Sequence, residues 1–137
     1  MLLQALIFLD LETTGMVAAE ERITEIGLVE VSAGEYIGSW SQLVNPQKSI
    51  PPFIQSLTGI SNRMVQDAPR FEQLAPALFQ RLEGKILVAH NARFDYGFLK
   101  SEFARLGMSY SPRVLCTAKL SRKLFPEHRR HNLDSLI

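Results

Sequence analysis

Residues Ile7 to Gly15 read IFLDLETTG, an apolar run that carries two carboxylates one residue apart and closes in a Thr-Thr-Gly turn. A stretch of this kind reads as a buried strand, and a strand sends residues i and i+2 to one face. Asp10 and Glu12 therefore project side by side from the end of that strand. Two anions held together repel, and each tends to keep a proton unless a cation sits between them. Oxygen ligands in such a pair suit a hard divalent ion, Mg²⁺ or Mn²⁺. A strand ending in a solvated acidic turn would carry the same two residues, so the rest of the chain has to decide between the readings.

Composition narrows the classes. The 137 residues make one domain, long enough for a real core, and 46% hydrophobic with 21% charged residues is ordinary for a globular protein. The net charge of +1 announces no global basic field. A single cysteine, Cys116, excludes an internal disulfide framework and fits a reducing, cytoplasmic location. No apolar run approaches the roughly 20 residues of a membrane span. The N-terminus has no basic segment or small-residue cleavage site, so Met1 to Leu9 reads as the entry to a central strand and not as a signal peptide.

Along the chain, strands are expected over Ala5–Leu11, Arg22–Val31 and Tyr36–Val44, the last two joined by a tight turn at Ala33-Gly34. Pro46, Pro51 and Pro52 end this meander. Short helices are expected over Pro52–Leu57 and Asn62–Gln66, around a Thr58-Gly59-Ile60 turn. Apolar residues recur at helical spacing from Phe71 to Leu82, and Pro76 within that run predicts a late start, near Gln73. Lys85–Ala89 reads as a short parallel strand, Ala92–Leu106 as a strong helix closed by Gly107, and Val114–Cys116 as another strand. A helix over Ala118–Phe125 and one opening at Asn132 complete the map. Three strands in a meander followed by alternating strands and helices give an α/β fold with a mixed sheet.

A second constellation, His90-Asn91-Ala92-Arg93-Phe94-Asp95, follows directly on the short parallel strand. A carboxylate in the first turn of a helix is favoured by the dipole alone, and His or Asn at such a junction serves as a cap. In a parallel-type sheet, however, functional groups gather beyond the carboxyl ends of adjacent strands. If the first strand and residues 86–89 are neighbours, Asp95 reaches the same place as Asp10 and Glu12.

FLDLETTG, then ITEIGLVEV, PPFIQSLTGI and VAHNARFDYGFL, in this order, resemble the DnaQ-like 3′→5′ exonucleases of the DEDD superfamily, which include the proofreading epsilon subunit of bacterial DNA polymerase III. The resemblance runs from about Leu6 to Leu136. It implies an RNase H-like fold with a five-stranded mixed sheet flanked by helices. It implies that Asp10, Glu12 and Asp95 are three of four acidic ligands for two ions, Mg²⁺ or Mn²⁺. It implies an enzyme that hydrolyses phosphodiester bonds at a single-stranded or frayed DNA 3′ end, in proofreading or repair, with a DNA polymerase subunit as a candidate partner. Leu11 and Thr13, beside the carboxylates, would offer backbone N–H groups to the terminal 3′-hydroxyl. Leu57, Thr58 and Ile60 would wedge and position the terminal nucleotide, Phe94 would floor its base, and Asn91 would orient the nearby chain. For Ile60 and Phe94 a plain core role is the competing reading.

The family's third motif, a general-base histidine a few residues before the last aspartate, is not evident. The expectation is a single exonuclease domain over residues 1–137 that stops before that motif, with impaired activity as a result. His131 and Asp134 share a helix face at i, i+3 and form the alternative catalytic pair. Lys119, Arg122, Lys123, Arg129 and Arg130 form either a solvated face or a phosphate-tracking rim, and His128 reads as a surface residue. Two other functions stay open: an RNA-trimming exonuclease of the same family, and a polymerase-docking module that has lost its chemistry.

Overall fold

The computed structural model describes residues 4–118. The chain forms β1 (Ala5–Thr13), β2 (Ile23–Ser32), β3 (Glu35–Leu43), α1 (Pro52–Thr58), α2 (Asn62–Val65), α3 (Phe71–Leu82), β4 (Ile86–Ala89), α4 (Ala92–Arg105) and β5 (Val114–Cys116). The expected helix over residues 118–125 (past Ala118), the helix opening at Asn132, the late basic cluster, His128 and the His131–Asp134 pair lie outside the described residues.

The sheet order is β3-β2-β1-β4-β5, antiparallel from β3 to β1 and parallel from β1 to β5. The β2–β3 hairpin turns on Ala33 (φ 53°) and Gly34 (φ 80°), two consecutive left-handed residues of the kind a two-residue hairpin requires. The predicted adjacency of β1 and β4 holds, with Phe8 opposite Val88. Alternation in β1 buries Ile7, Leu9 and Leu11 on one face and turns Phe8 and Asp10 to the other. The buried face packs against α3 and α4 through Phe71, Ala75, Leu78, Phe98, Leu99 and Phe103. Phe71 meets Phe103 edge to face at 5.2 Å. A smaller core of Ile50, Ile60 and Val65 seats α1 and α2.

Two boundaries differ from the expectation by two residues: β1 runs on to Thr13, past the expected end at Leu11, and α3 starts early. α3 begins at Phe71, not near Gln73, although Pro76 then falls inside it. The Gln73 side chain accepts the Arg70 N–H at 2.8 Å, which anchors the first turn. Phe71, only 1% exposed, gains its core position by being helical. Together these outweigh the single backbone hydrogen bond that proline removes.

Candidate active site

β1 and β4 run parallel, so their carboxyl ends meet at one edge of the molecule, where α4 also begins. A cleft of about 1080 Å³ opens there, lined among others by Asp10, Leu11, His90, Asn91, Phe94 and Asp95. Across the sheet, Asp10 pairs with Gly27 and Gly27 with Ser41, so on the β2 side no bulky side chain stands beside Asp10 in its row. Phe8, Val29 and Ser39 form the next row of the same cleft.

Asp95 lies on the buried stripe of α4 and is 6% exposed, whereas Asp10 is exposed and Glu12 half-buried. Burial pushes the Asp95 carboxyl from 3.8 to about 7, the charge of Asp10 adds to the rise, a hydrogen bond from the Leu11 backbone opposes it, and Glu12 adds a smaller push. Glu12 is raised as well, first by burial, then by Asp10 and by Glu25. Glu25 stands directly opposite Glu12 in the β1–β2 register. Asp10, Glu12 and Asp95 are therefore close enough to feel one another, and among the described residues no Lys or Arg pairs with any of them. Such a donor set, all oxygen and short of positive charge, fits a hard divalent ion. It is not a finished coordination sphere: among the described residues no three His, Cys, Asp or Glu side chains close around one point. Glu12 is also absent from the cleft lining, which Asp10 and Asp95 share.

The other expected site residues separate. Asn91 precedes α4 without capping it through its side chain, and with Phe94 it borders both the main cleft and a second cavity of about 310 Å³ beside Met16 and Arg93. The Phe94 ring packs at 4.8 Å on Phe98, leaving it half-buried. Thr13 is buried, and its hydroxyl donates to the Gly15 carbonyl. Leu57, Thr58 and Ile60 do not line the cleft. Leu57 is 68% exposed on α1, Thr58 donates to the Ile54 carbonyl and accepts the Ile60 N–H, and Ile60 lies in the smaller core. His90, which opens the second constellation but carried only a capping role there, lines the cleft, as do Trp40 and Ser41, which the sequence did not point to. His90 Nδ1 sits 2.9 Å from Thr117 Oγ1, a contact that orients the ring. Its place at the end of an apolar strand was the available signal; Trp40 and Ser41 depend on strand register and had none.

The exonuclease family model RNase_T matches residues 7–137. The chain belongs to this exonuclease family. It is 41% identical over 127 residues to the PolC-type DNA polymerase III of Caldanaerobacter subterraneus, covering 93% of this chain and 9% of that protein. It is 41% identical over 135 residues to the 3′-5′ exonuclease DinG of Bacillus subtilis, covering 97% of this chain and 14% of that protein. The chain thus spans a small part of the length of the curated relatives it matches. Among solved structures, exonuclease X in complex with 5′ overhanging duplex DNA superposes with a TM-score of 0.77 at 30% identity, covering 96% of this chain and 70% of that one. The five-stranded mixed sheet flanked by helices is the RNase H-like fold of these exonucleases. No helix among the described residues is long and apolar enough to cross a membrane.

Proposed function

We propose that this domain is a 3′→5′ exonuclease that removes nucleotides from single-stranded or frayed DNA 3′ ends, in proofreading or repair, with Asp10, Glu12 and Asp95 holding two divalent ions, Mg²⁺ or Mn²⁺. The observation that carries the reading is the Asp95 carboxyl, buried beside Asp10 and Glu12 with no cationic side chain among the described residues to pair it. What such ions supply when bound is activation of a water and stabilisation of the departing 3′-oxygen.

The chain's own residues do the positioning. Asp95 is fixed by burial and by the Leu11 backbone, so a ligand bound to it has a defined place relative to β1. Leu11, Asn91 and Phe94 line the cleft and seat the terminal nucleotide, with the Phe94 ring as a face for its base; such stacking contributes roughly 1–3 kcal/mol. Thr13 shapes the turn that presents backbone N–H groups to the 3′-hydroxyl. Leu57, exposed on α1, is the wedge beside the terminal base, and Thr58 and Ile60 hold its helix end in place. The PolC-type relative supports a polymerase as partner.

The test is release of 3′-terminal nucleotides from a 5′-labelled single strand with Mn²⁺ present, for the wild type and Asp10→Ala. Metal-dependent release lost in the variant supports the reading. Equal release by both chains removes Asp10 from the metal site.

A further inference from the structure

Glu102 is the other carboxylate on the buried stripe of α4, and its surroundings are unusual for a residue outside the cleft. Its side chain is 1% exposed. Arg22 Nε lies 3.0 and 2.9 Å from its two oxygens and Arg22 Nη2 2.8 Å from Oε1. The Ile23 backbone N–H donates to Oε2 at 3.2 Å, and Arg105 Nη1 stands 3.2 Å from Oε1.

These donors sit where the β1–β2 ladder is interrupted. Glu12 pairs with Glu25 but Thr13 with Ile23, so the register slips directly after the second candidate ligand. Glu102 takes the Ile23 N–H at that slip. Arg22 is in turn stitched to the turn after β1, for Thr14 N–H donates to the Arg22 carbonyl at 2.8 Å and Arg22 N–H to Thr14 Oγ1 at 3.0 Å. On the same side of α4, Ser101 Oγ donates to the Ala18 carbonyl at 3.0 Å. One buried carboxylate therefore ties α4 to the segment leaving the end of β1.

Asp95 lies seven residues before Glu102, two helical turns or about 10.5 Å along the same rigid element. The three candidate ligands repel, and at the carboxylates themselves only the Leu11 backbone hydrogen bond to Asp95 is seen, among the described residues, to draw α4 toward β1. A buried ion pair is weak evidence for a role in stability alone, since apolar residues of similar volume often stabilise as well. What a forked pair adds over apolar packing is a fixed orientation.

We infer that Glu102 and Arg22 are positioning residues for the metal site, clamping α4 so that Asp95 stands at a set distance from Asp10 and Glu12. This rests on the metal-site reading above. Outer partners that orient metal ligands are typically worth 10–100-fold in affinity.

Calorimetric Mn²⁺ titration of the full chain tests the inference. The variant is Arg22→Met/Glu102→Met, which replaces the clamp by apolar packing. The control is Lys85→Met/Glu30→Met, which removes an ion pair of 2.9 Å farther back along the sheet, where Glu30 pairs with Ile7. The clamp variant should bind Mn²⁺ about tenfold more weakly while the control binds as the wild type does. At saturating Mn²⁺ its kcat should stay within a few-fold of wild type, the loss appearing in the metal concentration for half-maximal rate. Arg22→Lys, which keeps the charge but loses the fork, should fall between and covers the case of a double variant that does not fold. Unchanged Mn²⁺ affinity in the clamp variants, or equal weakening in the control, overturns the positioning role. Wild-type Mn²⁺ binding by Asp10→Ala would instead overturn the metal-site reading beneath it.

Discussion

Asp95 and Glu102 occupy the same buried stripe of one helix, two turns apart, and their surroundings differ in kind. Glu102 is met by two guanidinium groups and a backbone N–H. Asp95 is met by one backbone hydrogen bond and two further carboxylates, and its pKa rises to about 7. A fold that required only a stable helix would treat both as it treats Glu102. Leaving one charge uncompensated costs stability, and such groups cluster where a protein binds or reacts with something.

The largest expected difference between the two positions is in catalysis. Asp95→Ala should lower release of 3′ nucleotides by about 10³-fold or more, because a bound divalent ion supplies several kcal/mol of charge stabilisation. Single-turnover degradation of a labelled strand measures it. Next comes the fold itself. Glu102→Ala should destabilise the protein by about 3–5 kcal/mol, since it strands Arg22 and the Ile23 N–H, whereas Asp95→Asn without metal should be neutral or stabilising at pH 7. Urea denaturation of both variants would break the comparison if the two losses were equal.

A smaller effect is expected from pH. The folded chain keeps the Asp95 proton up to about pH 7, while the unfolded chain releases it near 3.8, so between these values the unfolded state binds fewer protons. The sign follows: stability of the metal-free protein from this group is greatest below about pH 4 and falls as pH rises toward 7. The effect should be on the order of 2–4 kcal/mol and absent from Asp95→Asn, as melting of both chains in chelator across that range would show. The smallest change tests the wedge. Leu57→Ala, at a side chain 68% exposed, should alter stability by no more than about 0.5 kcal/mol, yet raise KM for a single strand severalfold. An unchanged KM would leave Leu57 as ordinary surface.

Much of this contrast was legible before the fold, and the limits have physical reasons. Strand and helix periods show directly in Ile7–Leu11 and in Phe98, Leu99 and Phe103, because burial selects apolar residues at those spacings. Asp10, Glu12 and Asp95 stood out because each interrupts or closes an apolar element. Glu102 did not, since a glutamate in a helical run is unremarkable until its partner, 80 residues away, is known. Glu25 opposite Glu12, and Ser41 in the row of Asp10, are likewise products of strand register. The start of α3 was misplaced because local proline chemistry was weighed without the burial of Phe71. Long-range pairing, not local propensity, is what the sequence concealed.

The central claim is that Asp95, which no cationic side chain among the described residues pairs, has its surroundings completed by a divalent ion. Carboxyl ¹³C NMR of the Asp95 side chain, titrated with pH in chelator and again with saturating Mg²⁺, tests this directly. In chelator the midpoint should lie near 7. With Mg²⁺ it should fall by about one to three pH units, as a carboxylate beside an opposite charge requires. An Asp95 midpoint that does not respond to Mg²⁺ would contradict the account.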